Sequence, residues 1–444
     1  MAAAPDERPA DERTGNGRPA VPVLFLVIVT LAVSALGFVE KQPCRAGGWN
    51  EPNFQYRHAC YTDIYPLYFV RGLAEGKLPY LDESLEYPVL IGAVMAGTAS
   101  ALSGISDPLL RGRAFYDLNA ALLTLSAVVT VIAVGYLAVR RPRDALMMAV
   151  APGLALAAYI NWDLLAVALS VLGLLAWSRR RHGWAGLLLG LAVATKFYPL
   201  VFFGPLFLLC LRAGRLRAFA VTTAAAVGGW LAVNLPVMAV APGSWAEFYS
   251  FNRERGADWG SLWYLFQLTG IPALGTSDVS RINLMGTGAF LVCCAAIAVL
   301  ALAAPRRPRL AQLLFLTLAA FLVTNKVWSP QYVLWLLPLV VLARPRWPTF
   351  LAWQAAEVGY FVAIWFYLLH VSVPEEGIGP GTYLPALALR AAAVTAIAVL
   401  VVRDVLRPDR DAVRADDADD PGGGVLDHAP DVVALRRRTR AVCV

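Results

Sequence analysis

Residues 161–199 read NWDLLAVALSVLGLLAWSRRRHGWAGLLLGLAVATKFYP. Two apolar runs, 164–177 and 184–195, are separated by Arg179, Arg180 and Arg181, and the remaining charges are Asp163 and Lys196 at the far ends. Crossing the hydrocarbon takes about 20 apolar residues, fewer where neighbouring protein shields the helix. The stretch therefore reads as a membrane hairpin with arginines at one end and one carboxylate and one ammonium at the other.

The rest of the chain repeats this design. Apolar runs fall at 22–39, 88–104, 118–139, 145–160, 164–177, 184–195, 197–211, 218–241, 284–304, 310–324, 331–343, 349–370 and 382–402. The 444 residues are 58% hydrophobic and only 16% charged, which excludes an ordinary water-soluble enzyme. The net charge of +7 sits in short clusters between apolar runs, so it sets membrane orientation and points to no nucleic-acid partner.

The clusters Arg140/Arg141/Arg143, Arg179/Arg180/Arg181, Arg212/Arg215/Arg217, Arg306/Arg307/Arg309 and Arg344/Arg346 bracket apolar runs two at a time, as does the stretch from Arg346 to Arg403. These five loops hold 14 Lys/Arg against two in the opposing loops 160–162, 195–199, 325–330 and 371–381. By the positive-inside rule they are cytoplasmic, and so is the C-terminus. A cytoplasmic N-terminus then requires that 88–104, which follows Tyr87-Pro88, be re-entrant or lie along the surface. The expected fold is an all-α polytopic bundle of about 12 transmembrane helices over residues 22–403. Disordered cytoplasmic tails are expected at 1–21 and 404–444, the latter rich in Asp and Gly.

Polar chemistry gathers at the other face. Asp63, in Ala59-Cys-Tyr-Thr-Asp-Ile-Tyr-Pro66, is a candidate general base, with a helix N-cap as the competing reading. An amphipathic stretch, Tyr65–Leu73, follows it. Lys196 and Lys326 stand at broken helix ends, where a point cation meets a phosphate or snorkels to headgroups. All four lysines of the chain (Lys41, Lys77, Lys196, Lys326) fall on this side. Arg253 and Arg255 alternate with aromatics, including Trp259, in the 242–283 loop, and suit either a sugar phosphate or an interfacial belt. Asp163 is read as holding a sugar hydroxyl, orienting a lysine or capping its helix. Glu357 and Arg390 are read as an ion pair or as snorkelling charges. Cys44 and Cys60 share one loop, compatible with a disulfide.

There is no Walker A sequence, GxGxxG, H-E-x-x-H or CxxC pair, and no histidine cluster, so neither metal nor cofactor is expected. A lipid flippase or transporter is the competing class, but no inverted repeat is evident.

Taken together, Tyr61-Thr-Asp63, Glu86-Tyr-Pro-Val-Leu90, Leu189-Gly-Leu-Ala-Val-Ala-Thr-Lys-Phe-Tyr-Pro199 and Asn325-Lys-Val-Trp-Ser-Pro-Gln-Tyr-Val-Leu-Trp335 resemble glycosyltransferase family 87. This family contains polyprenol-phosphate-mannose-dependent α-1,2-mannosyltransferases with the GT-C fold. The resemblance implies an inverting transfer of a hexose from a polyprenyl-phosphate donor to a glycolipid or glycan acceptor on the extracytoplasmic face of the cell membrane. It puts Asp63 as the base and Lys196 and Lys326 at the donor phosphate, where Arg253 and Arg255 are added on chemistry alone. Glu86, Tyr65, Asp163, Tyr198, Gln331 and Trp259 are the expected substrate contacts. Ile64 after Asp63 departs from the paired acidic form seen in many GT-C enzymes, leaving Glu86 as the available second carboxylate.

Overall fold

The computed structural model describes residues 22–139 and 141–435. The tail 1–21, Arg140, the terminal arginines from Arg436 onward and Cys443 lie outside the described residues.

Among the described residues every regular element is helical. Six helices are long and apolar enough to cross a membrane: Val23–Glu40, Pro108–Leu137, Leu216–Val240, Val279–Ala303, Trp347–Ser372 and Pro380–Leu406. Five further crossings are shorter, namely Asp163–Ser178, His182–Thr195, Tyr198–Arg212, Leu310–Thr324 and Pro330–Ala343. The pair Ala145–Ala149 and Pro152–Ala157 makes a broken one, interrupted before Pro152, whose ring lacks an N–H. The chain is thus the multi-pass, all-α bundle of about 12 spans that its hydropathy implies.

Length and position are linked. Most of Leu310–Thr324 and nearly all of Val333–Ala343 are buried, whereas Val279–Ala303 buries only Ile282, Gly286 and Ala301. Helices wrapped in protein are freed from matching the bilayer, and those facing lipid are not. Close packing is set by Gly186 and Gly190, four residues apart on His182–Thr195. A Cβ at either would collide with the carbonyl oxygens of Thr222 and Ala226 on the neighbouring Leu216–Val240 helix.

The helix in the 88–104 run, Val89–Ser100, has 12 residues. At 1.5 Å per residue it reaches about 18 Å, short of the ~30 Å core. It packs against Pro108–Leu137 and His182–Thr195. The segment before it is built from short helices, among them Ile64–Val70, and is stapled by a Cys44–Cys60 disulfide buried in the loop.

The two ends of the bundle differ. At one end the basic loops converge on the C-terminal segment, which is folded and not disordered as its composition suggests. Asp411 pairs with Arg309 at 2.7 Å, Asp419 with Arg306 at 2.9 Å, and Asp431 with Arg212 at 2.7 Å and Arg307 at 2.9 Å. Trp177 Nε1 donates to Gly423 O at 2.9 Å. Asp419 in the acidic run, and Asp411 and Asp431 on either side of it, are thus matched by guanidiniums from loops far away in sequence. The opposite end holds the cavity described next.

Candidate active site

The segment carrying Asp63 is docked on the tight turn between two spans. Asp63 N–H donates to Ile160 O at 2.7 Å, and Thr62 Oγ1 donates to Tyr159 O at 2.7 Å. The turn is itself pinned from below, because Trp162 Nε1 donates to Asn119 Oδ1 at 2.7 Å inside Pro108–Leu137. Asp63 precedes helix Ile64–Val70 at the N-cap position, yet its carboxylate caps nothing, and Thr62 Oγ1 takes the Ile64 N–H instead. The carboxylate is turned to two phenols: Tyr61 donates to Oδ1 at 2.6 Å and Tyr87 to Oδ2 at 2.9 Å. Asn161 Nδ2 stands 3.5 Å from Oδ2. The Asp63 charge, and then burial, holds the Tyr61 phenol well above its ordinary range. Burial and then Asp63 do the same for Tyr87, so both remain donors.

Lys196 follows the helix His182–Thr195 in extended backbone. Its ammonium is 2.8 Å from Asp163 Oδ1 and 4.7 Å from the centre of the Tyr87 ring. Asp163 caps no helix, since Trp162 holds the N-cap position and Asn161 Oδ1 takes the Asp163 N–H at 3.1 Å. Of the expected roles for Asp163, orienting a lysine is the one the geometry matches. Asp63, Tyr87, Lys196 and Asp163 thus form a continuous chain of contacts.

On the facing side Lys326 leaves Leu310–Thr324 in the same manner and donates to Arg253 O at 2.9 Å and Arg255 O at 2.7 Å. Burial, with Arg255 nearby, pushes its ammonium down to about 8. Its loop is held by the buried Glu357–Arg390 pair: Arg390 donates to Glu357 at 3.0 Å, to Trp328 O at 2.8 Å and to Ser329 O at 3.0 Å. Gly260 abuts that loop so closely that a Cβ would strike Trp328 O. Beside it Asp258 accepts from Ser329 Oγ at 3.2 Å and lies 3.4 Å from Arg255. Burial raises the Asp258 carboxyl, and Arg255 opposes the rise.

These groups line one cavity of about 710 Å³, shared by Asp63, Glu86, Lys196, Arg255, Asp258 and Lys326. Its walls are aromatic. Tyr198 stacks on Trp335 with centroids 4.3 Å apart, Trp335 stacks on Tyr332 at 3.6 Å, and Tyr61 stacks on Trp365 at 4.7 Å. Tyr198, Gln331 and Trp259 also line it. Flat aromatic faces suit the C–H faces of a sugar, and the cations suit a phosphate.

Three expected residues are placed otherwise. Tyr65 is buried away from the cavity, stacked on Trp49 at 4.8 Å with its hydroxyl on Asn50. Two residues beyond Asp63 along a helix, its side chain turns to the far side. Arg253 contributes its carbonyl to Lys326, while its exposed side chain is not part of the lining. Asp163 lies behind the wall, in contact with Lys196. Glu86 lines the cavity but is paired with Arg71 at 2.5 Å. The residues that sequence reasoning passed over are Tyr87, adjacent to Glu86, and Asn161, Asp258, Tyr332, Trp335 and Trp365. All but Trp365 lie within segments already singled out, and their neighbours were the available signal.

The model of Glycosyltransferase family 87 matches residues 87–330, more than half of the chain. The chain belongs to glycosyltransferase family 87. The matched region holds Lys196 and Lys326, and Asp63 precedes it. No curated protein matches the chain. Among solved structures it is similar to ArnT from Cupriavidus metallidurans bound to undecaprenyl phosphate, at 16% identity, over 87% of this chain and 78% of that one, with a TM-score of 0.44.

Proposed function

We propose that this membrane glycosyltransferase moves a hexose, mannose, from a polyprenyl-phosphate donor to an acceptor hydroxyl, with inversion, on the extracytoplasmic side of the plasma membrane. The side follows from the arginine distribution. The observation that carries the reading is a cavity with a phenol-held carboxylate on one wall and ammonium and guanidinium groups around it. Asp63 takes the acceptor proton, the acceptor oxygen bonds to the anomeric carbon from one face, and the bond to the phosphate oxygen breaks on the other. Polyprenyl phosphate departs with the electron pair. Lys196, held by Asp163, and Lys326 and Arg255 offset its charge. A positioned base contributes about 10²–10⁴-fold, and preorganised cations add leaving-group stabilisation. Oδ2 of Asp63 faces both Tyr87 and Asn161, whereas Oδ1 accepts only from Tyr61, so a lone pair on Oδ1 remains for the acceptor hydroxyl.

The test is reconstituted protein given polyprenyl-phosphate mannose, with sugar transfer and lipid scrambling measured separately. Transfer without scrambling is the expected result. Scrambling without transfer overturns the enzyme reading in favour of a flippase.

A further inference from the structure

At the arginine-rich end, opposite the sugar-transfer cavity, a separate cleft of about 400 Å³ lies between the loop at Arg344 and Arg346, the last turn of Pro380–Leu406 and the folded tail. Arg403, Arg410 and Arg414 also line it, with Asp404, Asp409 and Asp411. Most of the negative charge is already engaged. Asp404 is held by Arg344 at 2.6 Å, and Asp411 by Arg309 at 2.7 Å. Of the positive charge, Arg344 and Arg414 are engaged by carboxylates, but the other three arginines are not. Among the described residues the exposed side chains of Arg403 and Arg410 have no carboxylate or hydrogen-bond partner, and Arg346 gives only Nη2, to Arg410 O at 2.7 Å. Arg344 Nε is buried with no hydrogen-bond partner among the described residues. Leu400, one turn before Arg403 on a membrane helix, also lines the cleft, and Val399 and Leu406 on that helix are exposed. The cleft therefore sits where apolar span meets basic loop.

We propose that this cleft binds the phosphate of an anionic membrane lipid. Unpaired guanidinium forks match phosphate oxygens, basic pockets between spans receive lipid headgroups, and the neighbouring apolar surface receives the acyl chains. A soluble phosphate would gain nothing from that apolar border. The site stands apart from the transfer reaction and does not rest on the donor assignment.

The experiment uses the full-length chain in phosphatidylcholine nanodiscs titrated with phosphatidylglycerol, with lipid retention read by native mass spectrometry. Arg403→Gln/Arg410→Gln is compared with Arg215→Gln/Arg217→Gln, which removes the same charge from exposed residues of the same end. Phosphatidylglycerol affinity is expected to fall about fivefold per cleft arginine removed and to change less than twofold in the control. Unchanged sugar transfer in pure phosphatidylcholine verifies that both variants fold. Equal losses in the two variants, or none in the cleft variant, overturn the proposal. A parallel arm with glycerol 3-phosphate identifies the source: protection of the wild type by this soluble phosphate, with no retained lipid, overturns the lipid assignment.

Discussion

The two ends of this bundle use the same charged groups to different ends. At the arginine-rich end carboxylates and guanidiniums close on each other: Arg309 gives Asp411 two hydrogen bonds and spends further N–H groups on Leu342 O and Ala343 O. At the cavity end Asp63 is held by neutral phenols and Lys196 by a single carboxylate, so both retain bonding capacity toward the cavity. A satisfied buried pair fixes structure, while an incompletely satisfied charge beside an open volume is available for chemistry. The Lys326 ammonium is intermediate, with two of its three donors given to carbonyls.

The comparison is tested most severely by making one change at each end. Asp163→Asn and Asp411→Asn each leave a cation without its buried partner, and each should cost about 3–5 kcal/mol in unfolding experiments. Only Asp163→Asn should also depress kcat/KM per folded molecule, because it releases Lys196. Equal transfer by the two folded variants would erase the distinction. A smaller effect is expected from Tyr61→Phe and Tyr87→Phe, which each remove one hydrogen bond to a charged group. That loss is about 1.5 kcal/mol or more, roughly tenfold in kcat/KM. Thermal stability near wild type with unchanged kcat/KM in both would mean that the phenols do not position Asp63.

The next effect depends on pH. With its ammonium near 8, Lys326 is charged below that pH and neutral above it. Donor affinity should therefore fall as pH rises through 8, by up to about tenfold at pH 9. Lys326→Arg, which keeps its charge, should lack this alkaline limb, so an identical limb in the variant assigns it elsewhere. The smallest effect on transfer is expected from Arg306→Gln, at a half-exposed pair with Asp419, worth about 1 kcal/mol or less of stability and no change in KM.

The topology was legible because hydropathy and arginine placement are one-dimensional signals. So were Asp63, Lys196 and Lys326, isolated charges at membrane ends whose retention is costly. The partners were not legible. Tyr61, Tyr87 and Asn161 are ordinary residues at a membrane boundary, and they meet at Asp63 only in the folded chain, where the 62–63 segment docks on the 159–160 turn. Arg253 and Arg255 look equivalent in sequence, but Arg253 is inside the last turn of Pro242–Glu254 and Arg255 is just past it, so their side chains diverge. The tail misled for a related reason: it has little apolar content of its own, and its aspartates are held by arginines from three distant loops.

The central claim is that the Asp63 carboxylate accepts the proton of the acceptor hydroxyl. The most direct measurement is the single-turnover rate of Asp63→Asn in nanodiscs loaded with polyprenyl-phosphate mannose and saturating acceptor, alongside donor binding. The account expects donor affinity within about threefold of wild type and a rate lower by about 10²–10⁴-fold. A variant that binds donor normally and transfers at close to the wild-type rate would contradict it.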